Sequence, residues 1–162
     1  MKILLWEKNK GFTMVEIIIV MALVGIGMTF AMKLISYYQN KKLILEAQEI
    51  MNQLEYAKER SITQDERSKW GVHFDNISAS DVFFVLFRGS EYQSSASFGR
   101  TNLDKSLRFL IPTSTQALDI VFNTLSGKPT SSEKVIIENA FNGKIIEINV
   151  SSTGIISISA VQ

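Results

Sequence analysis

The chain has 162 residues, 46% hydrophobic and 20% charged, with formal net charge +1 and no cysteine. That length suits one domain, or one domain with an appendage, and a chain so apolar and so nearly neutral is not a disordered one. The charge argues against a general nucleic-acid binder, and the missing cysteines exclude a disulfide framework, a thiolate metal site and a cysteine nucleophile.

In chain order, residues 1–11 form a short basic leader in which Lys2, Lys8 and Lys10 outweigh Glu7. Among the 21 residues from Phe12 to Met32 the sole ionisable side chain is Glu16. As a helix this stretch spans roughly 31 Å, about the thickness of a bilayer's hydrocarbon core. The basic leader predicts a cytoplasmic N-terminus, with everything after Lys33 outside. Residues 12–32 therefore read as a transmembrane helix, single-pass in the inner (cytoplasmic) membrane.

No proline precedes Pro112, and no glycine falls between Gly27 and Gly71. Within that gap Leu43, Ala47, Ile50, Met51, Leu54, Ala57 and Lys58 recur at spacings of three and four. Lys42, Glu46, Glu49, Gln53 and Glu59 take the other faces. Residues 33–64 thus read as an amphipathic continuation, and 12–63 as one helix of roughly 78 Å.

Residues 65–162 read as a β-rich globular domain with nine Lys/Arg and ten Asp/Glu. Trp70, Val72 and Phe74 alternate with Gly71, His73 and Asp75, which predicts a half-buried strand. Val82–Phe87 is a continuous apolar run, as expected of a strand covered on both faces. Further strands are expected at Leu107–Ile111, Leu118–Phe122, Lys134–Glu138, Lys144–Val150 and Ile155–Ser159, with Asn142-Gly143 as the strongest hairpin signal. The Ser- and Gly-rich stretch Ser90–Thr101 reads as a mobile surface loop. The expected fold is α+β: a long N-terminal helix packed on a small antiparallel β-sandwich-like domain of six or seven strands.

The junction Lys10-Gly11-Phe12-Thr13-Met14-Val15-Glu16 carries the most specific signal. An ordinary secretory signal places its cleavage site after the apolar region, whereas here the glycine precedes it. This junction resembles the class III signal of type IV prepilins and pseudopilins, with Met14 where leucine is usual. The resemblance implies cleavage after Gly11 by a prepilin peptidase and N-methylation of the new terminus, Phe12. It also implies that Glu16 pairs with the Phe12 ammonium of a neighbouring subunit during assembly. A carboxylate within a membrane span costs on the order of 2.5–3.5 kcal/mol, so Glu16 is expected to have a task. Gly25 and Gly27 lie mid-span, either as a place where the helix softens or as small residues for close packing.

In the globular half, Trp70-Gly71-Val72-His73-Phe74 and Ile120-Val121-Phe122-Asn123 resemble the H-class minor pseudopilins of type II secretion. So do Gly127 and the closing Gly154-Ile155-Ile156, and the FimT-like minor type IV pilins share this plan. The implied partners are other pilin or pseudopilin subunits, the prepilin peptidase and the membrane.

Other sites are weaker. His73, the one histidine, falls opposite Trp70, Val72 and Phe74 and reads as exposed, with no catalytic context. Asp75-Asn76-Ile77-Ser78-Ala79-Ser80-Asp81 offers several oxygens but lacks the glycine and glutamate of an EF-hand, and so reads as a hydrated turn. Arg100, Lys105 and Arg108 are scattered basic residues around Asp104, and the C-terminal Ile155–Gln162 has no basic residue. No catalysis, cofactor, metal or nucleic-acid partner is therefore expected. The alternative is an uncleaved single-span anchor carrying a β-rich ligand- or DNA-binding domain outside the cytoplasm.

Overall fold

The computed structural model describes residues 12–78 and 80–161, with no account of the side chain at 161. The chain divides into two compact units, residues 1–37 and 38–162. Helix α1 (Met14–Ile62) runs through the first and into the second.

In the first unit α1 is apolar on every face, and its side chains from Met14 to Ile35 are exposed. Thr13 caps its start: the Glu16 N–H lies 3.3 Å from Thr13 Oγ1 and 3.1 Å from the Thr13 carbonyl. The helix therefore begins two residues later than the apolar pattern alone suggests, with Thr13 as a cap whose carbonyl and hydroxyl both accept from the first turn.

In the second unit α1 turns amphipathic. Leu43, Ala47, Ile50, Leu54, Ala57 and Ser61 are buried, repeating every three or four residues along one face. Two antiparallel four-stranded sheets receive that face. The first has the order β3-β2-β1-β5 and the second β4-β6-β7-β8. The strands are β1 (Trp70–Asp75), β2 (Phe83–Arg88), β3 (Ser97–Asn102), β4 (Leu107–Ile111), β5 (Ala117–Phe122), β6 (Glu133–Asn139), β7 (Ile145–Val150) and β8 (Ile156–Val161). Inner-face side chains of both sheets (Val72, Phe74, Phe84, Ile120, Val135, Ile137, Ile148) form one core with the helix. Each large aliphatic side chain fully buried there contributes about 1.5–3 kcal/mol. This is the expected α+β architecture, with eight strands among the described residues instead of six or seven.

The additional strand corrects the reading of Ser90–Thr101 as a mobile loop. Its first part is a turn containing a 3-10 helix (Ser94–Ala96), and its second part is β3, paired with β2. No alternating apolar pattern announces β3, because most of its side chains are exposed. It forms because β2 has a backbone edge to pair. Its register slips between the partners of Phe84 and Leu86, where Gly99 adopts φ +66°.

The helix is tied to the sheets by a few polar contacts. The Trp70 N–H donates to Ser61 Oγ at 2.9 Å, and the Leu125 N–H donates to the Ser61 carbonyl at 3.0 Å. Asn142 Nδ2 donates to Asn40 Oδ1 at 2.7 Å, and Lys42 pairs with Asp104 at 2.8 Å. Asn142 therefore serves both its hairpin and the helix, while Gly143 supplies the left-handed turn at φ +70°.

Candidate functional site

The N-terminal segment gathers the residues singled out by the sequence. Gly11 lies outside the described residues. Phe12 is 78% exposed, and Glu16 stands in the first turn of α1, where a negative charge complements the helix dipole. Thr13 and Glu16 sit at the cap and third helical positions, the spacing of a capping box. Sequence reasoning passed over Thr13, although the Thr-x-x-Glu spacing was there to find it.

Beyond Glu16 the segment presents Ile17, Ile18, Ile19, Leu23 and Ile26, all more than half exposed in the isolated chain. A cylinder of this composition is unstable in water and must be covered by lipid or by other helices. Among the described residues α1 is the one helix long and apolar enough to cross a membrane. Nothing stands within 4 Å of a side chain built at Gly25 or Gly27, so neither glycine is required by packing within this chain.

His73 is not exposed as the alternation suggested; it is buried. The outer face of the first sheet is covered in turn by the segment between β2 and β3. Tyr92 stacks on the imidazole with ring centroids 3.8 Å apart, and it meets Phe87 edge-on. Asp119 Oδ1 lies 2.5 Å from His73 Nδ1, while Asp119 Oδ2 accepts the Tyr92 N–H at 3.2 Å. The arrangement pins a turn to a sheet.

The Asp75–Asp81 oxygens have local partners. Asp75 Oδ1 accepts the Ile77 N–H at 2.9 Å, Ser78 and Ser80 share a bond at 3.0 Å, and Asp81 pairs with Arg100. Ala79 lies outside the described residues. Asn76 is buried and turned inward, away from any hydrated turn; its Nδ2 donates to the Pro112 carbonyl at 2.8 Å and toward that of Phe109 at 3.4 Å. Among the described residues no group of three or more His, Asp or Glu side chains is placed to hold a metal ion.

The three basic residues do not form one face. Arg100, on β3, also lies over the Phe83 ring with Cζ 3.6 Å from its centroid. Arg108, on β4 in the other sheet, pairs with Glu138 at 2.5 Å. Lys105 lies in the connection before β4.

Gly127 and Gly154 meet directly. A side-chain carbon on Gly154 would stand 2.5 Å from the Gly127 carbonyl oxygen, and one on Gly127 would stand 2.7 Å from Ile62. Both adopt positive φ, at +61° and +83° respectively.

Comparison with known proteins identifies the N-terminal segment. Residues 6–32 match the prokaryotic N-terminal methylation motif, the leader of type IV pilins. The N-terminal segment is therefore pilin-like, of prepilin type, and with the long apolar helix it fits a membrane anchor. No curated protein and no solved structure matches the chain.

Proposed function

We propose that this protein is a minor pilin or pseudopilin, a non-catalytic subunit of a type IV pilus or type II secretion pseudopilus. The observation that carries the proposal is the methylation motif over residues 6–32, joined to a helix whose side chains are exposed and mostly apolar from Met14 to Met32. The chain is held in the inner membrane by residues 12–32, its β-rich domain outside the cytoplasm. A prepilin peptidase cleaves after Gly11 and the new Phe12 terminus is N-methylated. Extraction into a helical assembly then exchanges lipid for neighbouring helices around the span.

Glu16 fits this step chemically. Cleavage creates an ammonium group at Phe12, and a carboxylate one helical turn along can pair with the corresponding ammonium of the next subunit as both leave water and headgroups. The reading as an H-class or FimT-like minor subunit rests on the sequence resemblance around Gly71, Gly127 and Gly154. It is supported by the tight surroundings of these glycines, Gly71 and Gly154 against backbone carbonyls and Gly127 against the Ile62 side chain. Glu16→Ala should leave cleavage after Gly11 intact and abolish incorporation into sheared or cross-linked filaments. Incorporation of Glu16→Ala at the wild-type level would refute the pairing role.

A further inference from the structure

Four strand edges border the two sheets, and three of them are blocked. β3 carries a register shift, Gly99 at φ +66° and the charged Arg100. β4 carries a second shift between Phe109 and Ile111, Arg108, and the Asn76 amide, which donates toward the Phe109 carbonyl and to that of Pro112 just past the strand. The end of β5 is covered by residues 129–130, with Phe122 bridged to Pro129 and the Thr130 N–H donating to the Val121 carbonyl. These are the usual protections against edge-to-edge pairing.

β8 has none of them. It pairs with β7 in unbroken register from Val150↔Ile156 to Ile145↔Val161. Ile155–Gln162 contains no charge and no proline. The Ser151 N–H donates to the Ile155 carbonyl, so the antiparallel alternation makes 157 and 159 the hydrogen-bonded partners on β7. The N–H and C=O groups of Ile156, Ile158 and Ala160 consequently face the free edge. A groove of about 500 Å³ opens beside Ala160, lined by Leu43, Ile44, Ile145 and Ile146 together with the polar Asn40, Asn142 and Lys144.

We infer that β8 is an interface with a second copy of this chain, joined β8 to β8 in antiparallel register with Ile158 opposite Ile158. Pairing needs a second unblocked edge, and among the described edge strands β8 is the one that offers it, with no charged side chain to oppose its own copy. The register centred on Ile158 engages all three outward residues of each copy, with 156 opposite 160 of the second copy. It also sets Ser157 opposite Ser159 of the second copy as a non-hydrogen-bonded pair, whose Cα atoms approach to about 4.5 Å. The inference does not depend on how the N-terminus is processed.

The natural absence of cysteine makes the test specific. Full-length Ser157→Cys and Ser159→Cys chains are reconstituted in lipid vesicles, singly and as an equimolar mixture, then mildly oxidised. The mixture should give a disulfide-linked dimer joining 157 to 159, while each variant alone gives little, because identical positions lie diagonally apart. Ala160→Pro, which removes an outward N–H and spares the β7 ladder, should lower that yield about tenfold. Circular dichroism and a thermal melt report whether each variant is folded. A mixture that yields no more dimer than the single variants overturns the inference, and so does a yield untouched by Ala160→Pro in a folded chain.

Discussion

Ile62, the last residue of α1, fills the space that a side chain on Gly127 would need. A carbon there would lie 2.7 Å from both Cγ1 and Cδ1 of Ile62. The same glycine adopts φ +61°, so it is constrained twice, by conformation and by room. Gly99 shares the conformation, at φ +66°, but has nothing within 4 Å of the same position.

The pair separates the two costs. Gly99→Ala should lose about 1–2 kcal/mol, the expense of a left-handed alanine. Gly127→Ala should lose roughly a further 1–3 kcal/mol from overpacking against Ile62. Thermal melts of the two full-length variants in detergent check this. Equal losses would show that Ile62 moves aside without cost.

Asn76 joins the end of β1 to β4 through an amide that donates to two carbonyls. Asn76→Ala leaves those acceptors unpaired in a buried place and should cost about 1–3 kcal/mol. Asn76→Asp should be worse at neutral pH, because an ionised carboxylate faces carbonyl oxygens and has no hydrogen to donate. Denaturant unfolding of both variants at pH 7 and pH 4 tests this. The Asp variant should recover part of its loss at the lower pH.

Glu46 and Asp104, both near Lys42, respond to pH in opposite senses. Burial, with the nearby Glu49 and Asp104 carboxylates, pushes the Glu46 carboxyl up from its ordinary value. A raised folded-state value means that stability present below the unfolded pKa is lost as pH rises through the folded one. The Lys42 and Ser106 side chains hold Asp104 down at about 2. Its contribution is complete above the unfolded value of 3.8 and disappears as pH falls toward 2. Glu46→Gln should therefore raise the melting temperature at pH 7 and leave it unchanged near pH 4. Asp104→Asn should lower it at pH 7 and matter little at pH 2.

The fold was legible where burial leaves a period in the sequence. Leu43, Ala47, Ile50, Leu54 and Ala57 are buried on one helix face as their spacing requires, and Leu107–Ile111 is a strand over that very range. Backbone pairing without an apolar pattern, as in β3, leaves no such trace. Nor does alternation around His73 reveal its burial, because it shows that two faces differ but not that Tyr92 covers the second one. Thr13 shows the opposite case, a local capping signal overlooked beside a stronger apolar one. Phe12 and Glu16 stood out through a motif and a rare charge, features that need no tertiary structure to be seen.

Processing after Gly11 is the claim on which the filament role rests. Intact mass and N-terminal peptide mapping of the chain, expressed with and without an active prepilin peptidase, test it directly. The peptidase should yield a mature chain beginning at N-methylated Phe12, and its omission should leave the leader attached. A chain still beginning at Met1 beside an active peptidase would contradict the account and favour an uncleaved membrane anchor.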